Sequence, residues 1–272
     1  MAAHDPSRPT AVATKVVAVD ENDYQHLPHD ERGAGGFSSY WRDIHQTATE
    51  ALARGEQHLL RPLLAAEFDQ FCRNTGLRPR SRAGLDAYTA VPADREELIA
   101  FSGEPVEMLR QTMVYERENW VMMTLCGRIF DLAAEQGGNR VVGEARHEAG
   151  NLLDRLLRRS RRHDDVVLVA KAGGGLPLGS YAITVGTPAD DTAIDSRDRN
   201  RFTSLLAASL LAGAAGVLTL RTPDPSGDHL LVWRMADQML LPTEHGELML
   251  EPAAGHDQTV TYAPGFELMT HG

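Results

Sequence analysis

Apolar residues recur at helical spacing through the first two-thirds of the chain and gather into short strand-like runs in the last third. Trp41, Ile44, Ala48, Ala51 and Leu52 fall on one side of a helix. Ser39 is its predicted N-cap, Asp43 places an anion in the first turn where the dipole favours one, and Gly55 stops it. An extended run follows at 58–61, then short helices over 65–73, ended near Gly76, and 81–88. The run 97–101 reads as a strand pairing with 57–61, with a short helix capped through Asp94 and Glu97 as the alternative. Pro105 suits the first position of a helix, and the pattern after it stays helical to Glu135, with Gly137 and Gly138 as the stop. Residues 120–123, with Leu125, Ile129, Phe130 and Leu132, are apolar around much of the circumference, so this helix is expected to be central and the most buried. Ala149, Leu152, Leu153, Leu156 and Leu157 then form a clean amphipathic face.

Beyond residue 164 the period changes. The runs 166–170 and 180–185 are joined by a glycine- and proline-containing loop too short for a crossover helix, which predicts an antiparallel hairpin. A helix over about 198–212 precedes a second hairpin, 216–221 with 229–235, and short strands are expected at 248–250 and 259–262. The fold class is α+β: a helix-rich N-terminal two-thirds packed on a mainly antiparallel C-terminal sheet of hairpins. Three regions are expected: a flexible N-terminal arm over 1–36, a mainly helical region over 37–163 and an α+β sheet region over 164–272. The last two are compatible with a single domain. Within the arm, 15–19 is the one strand-like run, suited to the edge of a sheet.

Composition narrows the functional classes. The net charge of −11 argues against a phosphate backbone as the main partner, so no nucleic acid is expected. Of 27 basic residues only Lys15 and Lys171 are lysines, so lysine chemistry has two carriers at most. Cys72 and Cys126 have no CxxC or histidine cluster about them and read as core residues of a reducing compartment. The first residues hold no apolar stretch of signal-peptide length, so secretion is not expected and a cytoplasmic location is. The uncharged run 202–220 has the length of a membrane span, but Gly213 and Gly216 interrupt it, and a buried helix followed by a strand accounts for it. No membrane association is expected.

Four constellations carry candidate chemistry. Lys171 beside Gly173 and Gly174 could offer amides and a cation to an anion, but the lysine precedes the glycines and a strand follows, unlike a P-loop. Glu144, His147 and Glu148 share a helix face, yet no second Glu-x-x-His motif or His-Glu-x-x-His completes a metal site, and no metal is assigned. Asp190, Asp191, Asp195 and Asp198 lack calcium-loop spacing and read as a solvated loop capping the next helix. Arg155, Arg158, Arg159, Arg161 and Arg162 crowd one helix end. A solvated face complementing the dipole is the first reading, and because the density exceeds what a dipole requires, a patch for an anion or a protein partner is the second. No nucleophile elbow and no dinucleotide fingerprint is present, and no cofactor is implied. The pattern favours an interaction or regulatory protein acting through a protein partner or by self-association. The alternative is a small-molecule binder or enzyme with a pocket between the C-terminal sheet and the central helix, using Lys171, Gly173, Gly174, Tyr181 and His147.

Overall fold

The computed structural model describes residues 12–33, 35–92, 98–160, 164–171, 177–185, 194–223, 229–236, 238–244, 246–250 and 258–268. The fold is α+β: helices dominate the first part, and a mainly antiparallel sheet fills the C-terminal part. The chain divides into two compact units, Met1–Trp120 and Val121–Gly272. That boundary differs from the expected one at 163/164, because each half of one long helix contributes to a different core.

In the first unit, β1 (Val12–Val17) lies parallel to β2 (Gln57–Pro62), which pairs antiparallel with β3 (Ile99–Ala100). Residues 12–33 therefore belong to a folded unit rather than to an arm. Val16, Val17, Ala18 and Val19 are buried, and their apolar surface could not be left in water without cost. Helix α1 (Glu21–His26) starts at Asp20, whose carboxylate accepts the Asp23 amide at 2.8 Å. Helix α2 (Gly36–Ala53) begins three residues before the expected cap: Gly35 holds the N-cap position, and Ser39 lies inside the helix. Helix α3 (Ala65–Thr75) ends at Gly76, which adopts the left-handed conformation (φ 69°) that a side chain disfavours. Helix α4 (Arg82–Thr89) is capped by Ser81.

Helix α5 (Val106–Gly137) runs through the unit boundary. Leu109 and Met113 enter the first core, while Met122, Cys126 and Phe130 enter the second. The expectation that α5 is the most buried helix is not met. Met108, Val114, Tyr115, Val121 and Leu132 are exposed on it.

The second unit joins α6 (Asn139–Leu157) and α7 (Ser196–Leu211) to a seven-stranded sheet in the order β5-β4-β6-β7-β10-β9, with β8 on β7. Both predicted hairpins form, β4 (Asp165–Lys171) with β5 (Pro177–Thr184) and β6 (Ala215–Thr222) with β7 (His229–Ala236). Strands β9 (Gly246–Leu250) and β10 (Gln258–Pro264) pair antiparallel, whereas β10 meets β7 in parallel. Strand β8 (Met239–Pro242) pairs antiparallel with the end of β7. Leu152, Leu153 and Leu156 of α6 and Phe202, Leu205 and Leu206 of α7 share the core with Val166, Leu168 and Leu218 of the sheet. The uncharged run 202–220 is the end of α7 followed by β6, and among the described residues no helix is long and apolar enough to cross a membrane.

Candidate interaction surface

Of the residues that the sequence marked for ligand binding, Tyr181 is engaged within the chain, and Lys171 and His147 are exposed. Tyr181 is buried on β5, where its hydroxyl donates to Asp198 Oδ1 at 2.7 Å. It pairs across the ladder with Leu168, which faces the helices, whereas Lys171 is exposed at the end of β4. His147 is exposed on α6. Gly173 and Gly174 lie outside the described residues. Glu144 pairs with Arg140 at 2.9 Å along α6, and Asp195 caps α7 by accepting the Arg197 amide at 2.7 Å.

The arginine-rich end of α6 is partly occupied by the chain's own C-terminal segment. The Arg155 Nη1 donates to the Leu268 carbonyl, and the Arg159 guanidinium stacks 4.1 Å from the centre of the Phe266 ring. Phe266 meets Trp233 edge-on at 5.1 Å, and Trp233 Nε1 donates to the Phe266 carbonyl at 2.7 Å. Gly265 fits because a Cβ there would come within 2.0 Å of the Trp233 ring. Arg158 is exposed, and Arg161 and Arg162 lie outside the described residues.

The first unit holds a buried charge cluster instead. Asp23 is fully buried on α1, and Arg117 from α5 reaches it (Nε–Oδ2, 3.0 Å) as well as Asp20 (Nη2–Oδ2, 3.1 Å). The Arg117 Nε–H is not aimed at Asp23 Oδ2, so that contact is coulombic rather than a directional hydrogen bond. Burial pushes the Asp23 carboxyl above its ordinary range, and Arg117 draws it partly back. Arg61, only 5% exposed, lies between the rings of Tyr88 and Trp120, 4.8 and 5.0 Å from their centres. These groups are engaged with one another inside the unit by charge and ring contacts.

What remains open is the outer side of α5. Val114, Val121 and Leu132 are 36%, 41% and 56% exposed, and Met108 and Tyr115 flank them. A shallow concavity of about 200 Å³ lies at the N-terminal end of this side, lined by Glu107, Arg110, Gln111, Val114, Tyr115 and Glu118. The sequence carried this signal. Val114, Val121, Leu125 and Leu132 recur at coiled-coil spacing, but the abundance of apolar residues all round the helix pointed to burial instead.

Residues 2–104, most of the first unit, match a family model described as a domain of unknown function (DUF8829). No curated protein matches the chain, and no solved structure matches it.

Proposed function

We propose that this chain is an interaction or regulatory protein that works through a protein partner, with α5 as its binding element. The support is where apolar surface is left in water. Nine large hydrophobic side chains are exposed among the described residues, and Met108, Val114, Tyr115, Val121 and Leu132, five of the nine, lie on α5. Isolated exposed hydrophobes are ordinary, but a run of them along one helix is an aggregation liability unless something covers it. An amphipathic helix read through anchors at i, i+3, i+4 and i+7 is a recurrent recognition device.

The test is a photo-crosslinking amino acid placed at Val121, at Leu132 or at Val169 in cells that make the protein. Val169 is the control, 41% exposed on β4, like Val121 on α5. Discrete adducts from positions 121 and 132, and none from 169, are expected. Uncrosslinked chain from both α5 positions would contradict the reading.

A further inference from the structure

The outer side of α5 is nearly its own mirror image. Val114, Glu118, Val121, Leu125, Arg128 and Leu132 follow one another at alternating spacings of four and three, the seam of a heptad repeat. All six are exposed except Leu125, which is half-buried. Reflection about Met123 exchanges Val121 with Leu125, Glu118 with Arg128 and Val114 with Leu132. It turns apolar positions into apolar ones and the acid into the base. One layer further out, Gln111 exchanges with Glu135, an amide with a carboxylate that can accept from it.

We infer that α5 binds α5 of a second copy, antiparallel, about a two-fold axis beside Met123; this names the partner of the interaction reading and rests on it. An isologous pair brings each residue against its mirror mate on the other chain, so each Glu118 meets the second copy's Arg128, once on either side of the axis. Neither Glu118 nor Arg128 has an ion-pair partner of its own among the described residues. By contrast Arg110 pairs with Glu107, and Arg117 with Asp20 and Asp23. A parallel pair is disfavoured because it sets Glu118 against Glu118 and Arg128 against Arg128 in the seam. An antiparallel pair shifted by one heptad also loses the match. In one direction Glu118 faces Val121, and in the other it faces Glu135. The concavity beside Val114 and Tyr115 lies where the second copy's Leu132 would arrive. The pairing involves one continuous helix, about 36 Å of it from Gln111 to Glu135.

The test uses the full chain in two arms. In the first, a Val114→Cys chain is mixed with a Leu132→Cys chain under mild oxidation. A disulfide-linked product of twice the 29.8 kDa chain is expected from the mixture and not from Val114→Cys alone. In the antiparallel pair the two 114 positions lie about 27 Å apart along the axis, beyond the roughly 7 Å that a disulfide spans. Cys72 and Cys126 are buried, and the single variant controls for them. Linkage of Val114→Cys to itself, without the mixed product, would overturn the antiparallel arrangement.

In the second arm sedimentation equilibrium gives the dimer Kd. Glu118→Arg and Arg128→Glu are each expected to weaken it by about tenfold or more, because like charges then meet at two places. The double variant is expected to return to within about threefold of the parent, an outcome that general misfolding cannot produce. A chain that is monomeric at tens of micromolar, or a double variant weaker than either single one, would overturn the pairing. If position 121 crosslinks only to a chain of some other mass, the second copy is excluded while α5 remains a binding element. If it crosslinks to nothing, both readings fail.

Discussion

The buried side of α5 carries Arg117 and Asn119 into the first unit, and Met122, Cys126 and Phe130 into the second. The first core is closed by polar groups that must find each other: Arg117 against Asp23, Arg61 between two aromatic rings, and the Tyr40 hydroxyl accepting the Ala18 amide at 3.0 Å. The second is filled mainly by aliphatic side chains, with Tyr181, Phe202 and Trp233, between α6, α7 and the sheet. Arg155 and Arg159 lie at its rim over Leu268 and Phe266, while Arg201 is buried on α7. The difference concerns what a single substitution breaks. A charge buried against one partner is costly to orphan. An aliphatic core fails through cavities, and a rim arginine contributes little beyond its local contact.

Each unit contains one free, buried cysteine, Cys72 in the first and Cys126 in the second, so thiol labelling reports on the two separately. Burial raises both thiols, Cys126 to about 12, and neither should react at neutral pH until its unit opens. The largest effect is expected from Arg117→Ala, which leaves Asp23 buried without its countercharge and should cost the first unit about 3–5 kcal/mol at pH 7. Cys72 labelling should accelerate while Cys126 labelling does not. The pH dependence has a definite sign. Asp23 has a folded-state pKa above its unfolded value of 3.8, so it binds its proton more tightly when folded. Its contribution to stability is present at acid pH and is lost as pH rises through the folded value. The penalty of Arg117→Ala should therefore shrink in acid and grow toward neutrality. A penalty independent of pH would remove the buried-charge account.

Leu152→Ala is the counterpart in the second unit. Leu152 is completely buried, and its truncation should cost about 2–5 kcal/mol, flat with pH, and speed labelling of Cys126 alone. If both cysteines labelled at one new rate after either substitution, the units would open together and the contrast would dissolve. Smaller still, Arg61→Lys should destabilise the first unit by about 1–2 kcal/mol, because an ammonium does not stack between Tyr88 and Trp120 as a planar guanidinium does. Arg159→Ala, which removes only the stack on Phe266, should cost the second unit about 0.5–1 kcal/mol in denaturant melts.

The sequence made local features legible and left long-range ones hidden. The stop at Gly76, the short helix opening at Ser81 and the two hairpins of the C-terminal sheet follow from rules that act within a few residues, and all are present. Two features without such a signature escaped. The run 15–19 reads as an edge strand and β1 does lie at a sheet edge, but it joins β2 across more than forty residues, so nothing near 12–17 announced that partner. The segment 265–268 returns to α6 and β7, and Arg155 meets Leu268 over a separation of 113 residues. The arginine cluster therefore stood out in sequence while the Phe266 ring and Leu268 carbonyl that occupy part of it did not. On α5 the opposite happened. The seam of Val114, Val121, Leu125 and Leu132 was visible, but counting apolar residues around the whole helix hid that Leu109, Met113, Cys126 and Phe130 already supply its buried side.

Hydroxyl-radical footprinting of the intact chain across a range of concentrations tests the central claim most directly. Val114, Val121 and Leu132 should be oxidised readily when the protein is dilute and become protected together as concentration rises, while Val169 on the sheet keeps a constant rate. Oxidation of the three α5 residues that stays the same from the most dilute to the most concentrated sample would contradict self-pairing through that helix.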